Sequence, residues 1–381
     1  MNYLDNYIER TTSCLTGSTD FESIAKVDNF PVFFGVTKEP VENDIYAVME
    51  WFLERKTGLI QLNKLIPLEI LYQAQHAYGF GETWENHYQE FSEFILQTMP
   101  SKVLEIGAGQ GRIAQICSSK EEIEKWTIIE PNPTFKETDK IKVITGFFDR
   151  NFKFEAEFDT YTFSHVLEHA YDPKEFLSCI YEKMRVRDNL VFSYPNLKAW
   201  LNKKFTNSLN FEHTVFLTDE HLESLLQNIG FEIVKRTDYL EHSHFFHVKK
   251  SSIPQVPLEY KDLSDVNTEL LQNFIKYHVD EVNALNKIIS DLKGKHIFLF
   301  GAHIFSQYLK VFGLDTSKVI SILDNSKEKQ DQRLYGTTLF VDNPRVLQNY
   351  GTPVVILRAG PYNDEIKWQI LSRINQNTLF I

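Results

Sequence analysis

Cysteine is scarce in this chain. Cys14, Cys117 and Cys179 are all there is in 381 residues, an odd number spread far apart. That excludes a disulfide framework and favours a reducing compartment, so a cytoplasmic protein is expected. Positive charge is also short: 40 Lys and Arg stand against 52 Asp and Glu, a formal net charge of −12. A chain that coats nucleic acid or an anionic membrane needs clustered cations, so neither partner is expected. No apolar run approaches the roughly 18 residues of a membrane span. The opening MNYLDNYIERTTS has early acids and no apolar core, so it does not read as a signal peptide.

Aromatic residues are plentiful, with 30 Phe and 17 Tyr. They make stacking walls easy to build. Residues 1–67 read as a small mixed module, with β-like runs at PVFFGVT and GLIQL. Residues 68–255 form a second unit. It begins with helical patterning after Pro67, broken at AYGFGET. From residue 101 strands and helices alternate: KVLEIGA, GRIAQICSS, WTIIEPN, KVITGFF, FDTYTFSHV, DPKEFLSCIYEKM and NLVFSYPN. This alternation predicts a doubly wound α/β sheet. TDEHLESLLQNIG adds a helix, with Thr218 as N-cap and Gly230 as C-cap. Residues 256–381 then hold a long amphipathic helix and a second Rossmann-like α/β unit, in KHIFLFGAHIFSQYL, VISILDNS and PVVILRA.

The stretch KVLEIGAGQGRIAQI carries the first functional signal. A buried strand runs into Gly107, Ala108, Gly109, Gln110 and Gly111, and a helix follows. Such a turn lets a ligand lie against bare backbone at the end of the strand. The spacing is GxGxG, not the dinucleotide GxGxxG, and Glu105 precedes it. An acid there repels pyrophosphate and suits a cationic ligand, which points to S-adenosyl-L-methionine. Glu130, about 20 residues on and followed by Pro131, is placed to accept ribose hydroxyls. Phe147 and Phe148 offer walls for an adenine.

Together LEIGAGQG, IIEPN and FDTYTFSHVLEHAYDP resemble the motifs of class I S-adenosylmethionine-dependent methyltransferases. The resemblance places Ser164 and His165 beside the methionine part of the cofactor. LNFEHTVFLTDEHLESLLQNIGFEI, the C-terminal unit and ERKTGLIQLNKLIPLEILYQ are similar to the nucleotide-sugar C-methyltransferases. That resemblance implies a zinc module near the N-terminus, a C-terminal Rossmann-like domain, and a Tyr-His-Glu-His sequence in the active site.

The chain departs from that pattern. Glu54 and Thr57 stand where the second cysteine pair belongs, and only Cys14 remains near the first, so no metal is expected. Asn210 and Phe211 replace the motif's tyrosine and first histidine, while Glu212 and His213 remain. Methyl transfer to an atom bearing a proton needs a base, so Glu212 and His213 are the catalytic candidates. Tyr72, Tyr78, His87 and Asn210 are the candidates for holding substrate. His165 and His169, four apart, mimic metal spacing, but the resemblance makes this a metal-free cofactor wall. EHSHFFHVKK reads as a strand with His242 and His244 on one side. In the last unit, Gly301 and Asp324 mark a second nucleotide-like turn, with Lys327, Lys329 and Arg333 near enough to meet phosphates.

The expected function is transfer of a methyl group to a nucleotide-linked sugar or related carbohydrate. The alternative is an oxygen or nitrogen of another small metabolite. A nicotinamide oxidoreductase fits the glycine spacing poorly, and a non-catalytic scaffold fits the intact Glu105, Glu130 and glycine turn poorly.

Overall fold

The computed structural model describes residues 2–73, 82–153, 157–253 and 255–381. Its centre is a seven-stranded sheet. Strands β1 (Lys102–Ile106), β2 (Lys125–Glu130), β3 (Ile141–Thr145), β4 (Thr160–Ser164) and β5 (Asn189–Pro195) are parallel. A hairpin of β6 (Phe231–Tyr239) and β7 (Ser243–Lys250) closes one edge, with β7 antiparallel to both β5 and β6. The order is β3-β2-β1-β4-β5-β7-β6. Buried strands of a doubly wound sheet read as continuous apolar runs because helices cover both faces; β5 is buried along its whole length. The switch of direction beside β1 leaves a crevice at the strand C-termini, where such folds bind ligands.

Helices α1 (Glu82–Leu96), α2 (Arg112–Ser118), α3 (Pro173–Lys183) and α4 (Asp219–Ile229) flank this sheet. Thr218 caps α4, its hydroxyl accepting from the His221 N–H, and Gly230 ends it in the left-handed region at φ 114°. Helix α5 (Ser264–Asp291) leads to a parallel sheet of β8 (Ile297–Phe300), β9 (Val319–Leu323), β10 (Val341–Asp342), β11 (Val354–Leu357) and β12 (Leu379–Phe380). Helices α6 (Ile304–Val311) and α7 (Asn363–Arg373) complete this Rossmann-like unit. No helix among the described residues is long and apolar enough to cross a membrane.

The N-terminal module is more regular than its sequence suggests. Phe21–Pro31 pairs antiparallel with Ile45–Glu54 in a long hairpin, while PVFFGVT contributes Pro31 to the end of that strand and a two-residue strand at Val36–Thr37. The sheet also takes in Val215–Phe216, which pairs with Ile60–Leu62. Three buried contacts tie the module to the rest of the chain. The Arg10 guanidinium donates to the carbonyls of Leu62 and Thr214 at 3.2 and 2.9 Å, to that of Tyr171 at 2.5 Å, and to the Thr214 hydroxyl at 3.1 Å. Phe211 meets Phe30 edge to face, ring centres 5.6 Å apart. Arg333 holds Asp44 through two N–H bonds of 2.6 and 2.7 Å. Arg333 is therefore a buried strut between units and not a phosphate ligand.

Where the resemblance places cysteine pairs, a hydrogen-bonded cluster stands instead. The fully buried Glu54 accepts from the hydroxyls of Thr57, Thr16 (2.8 Å) and Ser13 (3.4 Å). The Cys14 thiol is buried and its pKa is pushed up to about 12, chiefly by burial. Removing the common acceptor strands three hydroxyls. Glu54→Ala is expected to lower unfolding free energy by about 2–4 kcal/mol, measured by denaturant titration, with Thr57→Val losing about half as much.

Candidate active site

The glycine turn leaves β1 with three left-handed residues: Gly107, Gly109 and Gly111, at φ 70°, 54° and 67°. Their reasons differ. A Cβ on Gly107 would meet Val166 at 2.7 Å, and one on Gly111 would meet the Phe135 ring at 2.8 Å. A Cβ on Gly109 would meet nothing within 4 Å, so its bare face opens on the cavity. Glu130, at the end of β2, accepts the Gly109 N–H at 3.0 Å and the Asn132 N–H at 3.1 Å, one on each oxygen. Each oxygen keeps a lone pair for a ligand hydroxyl. Burial raises the Glu130 pKa, opposed by these backbone bonds. Glu105 sits behind the turn, 1% exposed, and its carboxylate accepts from the Trp126 indole at 2.7 Å. Burial pushes its pKa up to about 7, with the Glu130 charge adding to the effect.

Residues of both α/β units line one cavity of about 1990 Å³. It runs from the glycine turn past β4 to the β8–α6 turn of the C-terminal unit. Pro131, Ala108, Phe147, Phe148, Ser164 and His165 are on its wall. Phe147 is half exposed and meets Tyr72 edge to face at 5.7 Å, whereas Phe148 also packs on Phe176. The buried Ser164 hydroxyl has no partner among the described residues. His165 takes an unusual φ of 53°, which turns its ring onto Trp200 and places Nε2 2.8 Å from the Ser243 hydroxyl.

The predicted pair, Glu212 and His213, lies on the same cavity wall and has company. Glu168 and His169, from the end of β4, meet them. The His169 Nδ1 is 3.1 Å from the Tyr72 hydroxyl and 3.6 Å from Glu212, and its Nε2 is 3.9 Å from Glu168. The rings of His169 and His213 are 5.2 Å apart. His213 Nδ1 lies 3.0 Å from the Ser208 carbonyl. A carbonyl only accepts, so Nδ1 carries the proton and Nε2 keeps its lone pair. Burial, with the Glu168 charge, pushes the Glu212 pKa up to about 7; burial draws His169 down to about 4. The peptide that follows His213 is the one Arg10 grips.

Other expectations are redrawn. His87 is fully buried, bonded to the Ser193 hydroxyl at 2.9 Å, and off the cavity wall, so it supports the site from behind. Asn210 is on the wall, but its amide is engaged locally, accepting the His213 N–H at 2.7 Å and donating to the Asn207 carbonyl at 3.1 Å. It shapes the loop. Tyr78 lies outside the described residues. His165 and His169 both approach Glu168, at 3.4 and 3.9 Å, but belong to different ring clusters: one joins Trp84, His87 and His242, the other joins Glu212 and His213. His242 sits in the β6–β7 turn, while His244 pairs with Asp219 and Asp238, so the two do not lie together. Glu168 gave no sequence signal beyond its place in the β4 motif, because its role comes from burial.

In the C-terminal unit the turn geometry repeats. Gly301 follows β8 at φ 105°, and the Ala302 N–H donates to Asp324 at the end of β9, 2.9 Å away. Lys329 pairs with Asp324 at 3.2 Å, and Arg358 with Glu281 at 2.7 Å; both cations reach the cavity.

The strand order and the acid-flanked glycine turn define a class I methyltransferase fold. Residues 72–236, less than half of the chain, match the family model of a methyltransferase domain. Among solved structures, human N-acetylserotonin methyltransferase, in complex with S-adenosylmethionine, aligns at 18% identity. The alignment covers 45% of this chain and 53% of that one, with a TM-score of 0.38. Magnesium protoporphyrin IX methyltransferase from Synechocystis PCC 6803, with bound S-adenosylhomocysteine, aligns at 14% identity, 46% and 91% coverage and a TM-score of 0.35. An O-methyltransferase family protein of Burkholderia thailandensis gives 10%, 44% and 57%, and 0.37. The alignment thus spans about half of the first of these proteins. No curated protein matches the chain.

The raised Glu105 pKa has a definite sign. A folded pKa of about 7 above an unfolded one near 4.3 means that folding favours the protonated acid, so this group's contribution is lost as pH rises from about 4.5 through 7. Glu105→Gln keeps an acceptor for Trp126. It is expected to gain about 3 kcal/mol relative to the parent between pH 5 and pH 8, read from denaturant midpoints at the two pH values.

Proposed function

We propose that this methyltransferase uses S-adenosylmethionine to methylate a nucleotide-linked sugar or related carbohydrate in the cytoplasm. The observation that carries the reading is the continuous cavity joining two nucleotide-type turns, Gly107–Glu130 and Gly301–Asp324, with Glu212 and His213 between them. Two such turns suit two nucleotide-bearing ligands, one the donor and one the acceptor.

The donor side fits its ligand. The bare face of Gly109 admits a close approach, Glu130 accepts the ribose hydroxyls, and Pro131, Phe147 and Phe148 flank the adenine. Ser164, with its unpartnered hydroxyl, and His165 border the methionine part, and the Glu105 carboxylate favours the positive charge. When bound, S-adenosylmethionine supplies a methyl carbon activated by a sulfonium, displaced in line while sulfur keeps the bonding electrons. The chain's own work is to align the acceptor and take its proton. Glu212, its affinity for a proton raised by burial, and His213, its Nε2 lone pair facing the cavity, receive that proton. Tyr72, its hydroxyl on the same His169 nitrogen that Glu212 approaches, helps orient the acceptor beside Glu212. Lys329 and Arg358 offer positive charge to a diphosphate in the far arm of the cavity.

Glu130→Ala is expected to weaken S-adenosylhomocysteine binding at least about tenfold, by calorimetry, with the melting temperature little changed. His213→Gln is expected to lower the transfer rate by about 10²–10⁴ with that binding kept. Labelled methyl transfer to nucleotide sugars, free sugars and non-sugar metabolites tests the acceptor; label confined to the last group would overturn the sugar assignment.

A further inference from the structure

We propose that Glu168, His169 and His213 form a binding site for a divalent cation beside the acceptor position. The inference rests on the methyltransferase reading and adds a metal to it.

The observations are geometric. One ligand atom from each of the three side chains lies within 4.8 Å of the other two. Glu168 is fully buried, and neither of its carboxylate oxygens has a hydrogen-bond partner among the described residues. The nearest groups, His165 Nδ1 at 3.4 Å and His169 Nε2 at 3.9 Å, are both beyond good hydrogen-bonding distance. A buried carboxylate with both oxygens bare is costly unless a cation answers it. The two histidines are arranged to help. Ser208 fixes the His213 proton on Nδ1, leaving the Nε2 lone pair. Tyr72 and Glu212 both stand on the Nδ1 side of His169, leaving Nε2 towards Glu168. A partner on the remote ring nitrogen is how metal-binding imidazoles are held in orientation.

Two imidazoles and one carboxylate on one side, with the cavity on the other, is a donor set that leaves coordination positions open. It suits Mn²⁺, Fe²⁺ or Co²⁺ better than a closed structural zinc site. A metal–ligand distance of about 2.0–2.2 Å requires the three side chains to draw in by small rotations from their present spacing. Glu168, His169 and His213 line the same cavity as Glu212 and the donor turn, so an acceptor oxygen in that cavity would bind the cation and its proton would become more acidic. Glu212 stays outside the ligand set and alone takes the acceptor proton when the cation is bound, because the cation then occupies the His213 Nε2 lone pair. The other histidine cluster, His87, His165 and His242, is the competing location: its three ligand atoms are equally close. There, however, the Ser243 hydroxyl already bridges His165 and His242, at 2.8 and 2.6 Å.

The test uses the full chain, stripped of metal and titrated with Mn²⁺ alone (electron paramagnetic resonance) and Co²⁺ alone (visible absorption). One equivalent is expected to bind. Glu168→Gln and His213→Gln are each expected to weaken binding at least thirtyfold, with His242→Gln leaving it unchanged. Loss of binding in His242→Gln, or unchanged binding in Glu168→Gln, overturns the proposal. So does an absence of any stoichiometric binding. Should Glu168→Gln fold poorly, Glu168→Asp and His213→Gln decide the matter. S-adenosylhomocysteine calorimetry on the same samples separates the two readings. Donor binding without cation binding removes only the metal site, and cation binding without donor binding removes the donor assignment.

Discussion

Carboxylates withdrawn from water govern this molecule. Glu105, Glu130, Glu168 and Glu212 all line one cavity, and burial raises the proton affinity of each. An indole meets Glu105, backbone N–H groups of the glycine turn and Asn132 meet Glu130, and the side-chain oxygens of Glu168 have no hydrogen-bond partner among the described residues. A low-dielectric pocket with that much unanswered acidity selects strongly for positive charge. The proposed sulfonium donor and the proposed cation are two answers to one electrostatic condition. The surrounding histidines do not supply it, because burial keeps His165 and His169 neutral across the physiological range.

Holding acids in that condition requires a rigid frame, and the frame comes from far away in the sequence. Arg10 spends its guanidinium on backbone carbonyls at Leu62, Tyr171 and Thr214. These lie on the N-terminal sheet, just beyond His169, and just beyond His213. The N-terminal module therefore sets the spacing of the two peptide segments that carry the catalytic candidates. Phe30 against Phe211 and Asp44 against Arg333 extend the same clamp to the loop that carries Glu212 and His213 and to the C-terminal unit.

Much of this was legible in the chain because its causes are local. Alternating apolar runs marked all seven central elements from β1 to β5, Thr218 and Gly230 marked both ends of α4, and the glycine turn with Glu130 marked the crevice. The pair Glu212 and His213 emerged from a motif four residues long. What stayed hidden depends on neighbours distant in sequence. The 21–31 and 45–54 hairpin has irregular register and a mixed burial pattern, so strict alternation is lost. His87 looks like a pocket residue until α1 turns it inward onto Ser193. Arg333 looks like a phosphate ligand until Asp44, 289 residues away, claims it. Glu168 carries no signal in the sequence until the fold buries it with both carboxylate oxygens unpartnered among the described residues.

The cluster of Ser13, Thr16, Glu54 and Thr57 reaches beyond architecture. A knot closed by hydroxyls and one carboxylate contains no sulfur to be alkylated, peroxidised or robbed of its ion. A module of this kind keeps its shape through electrophile exposure and zinc starvation alike, conditions that dismantle thiolate-stapled modules of similar size.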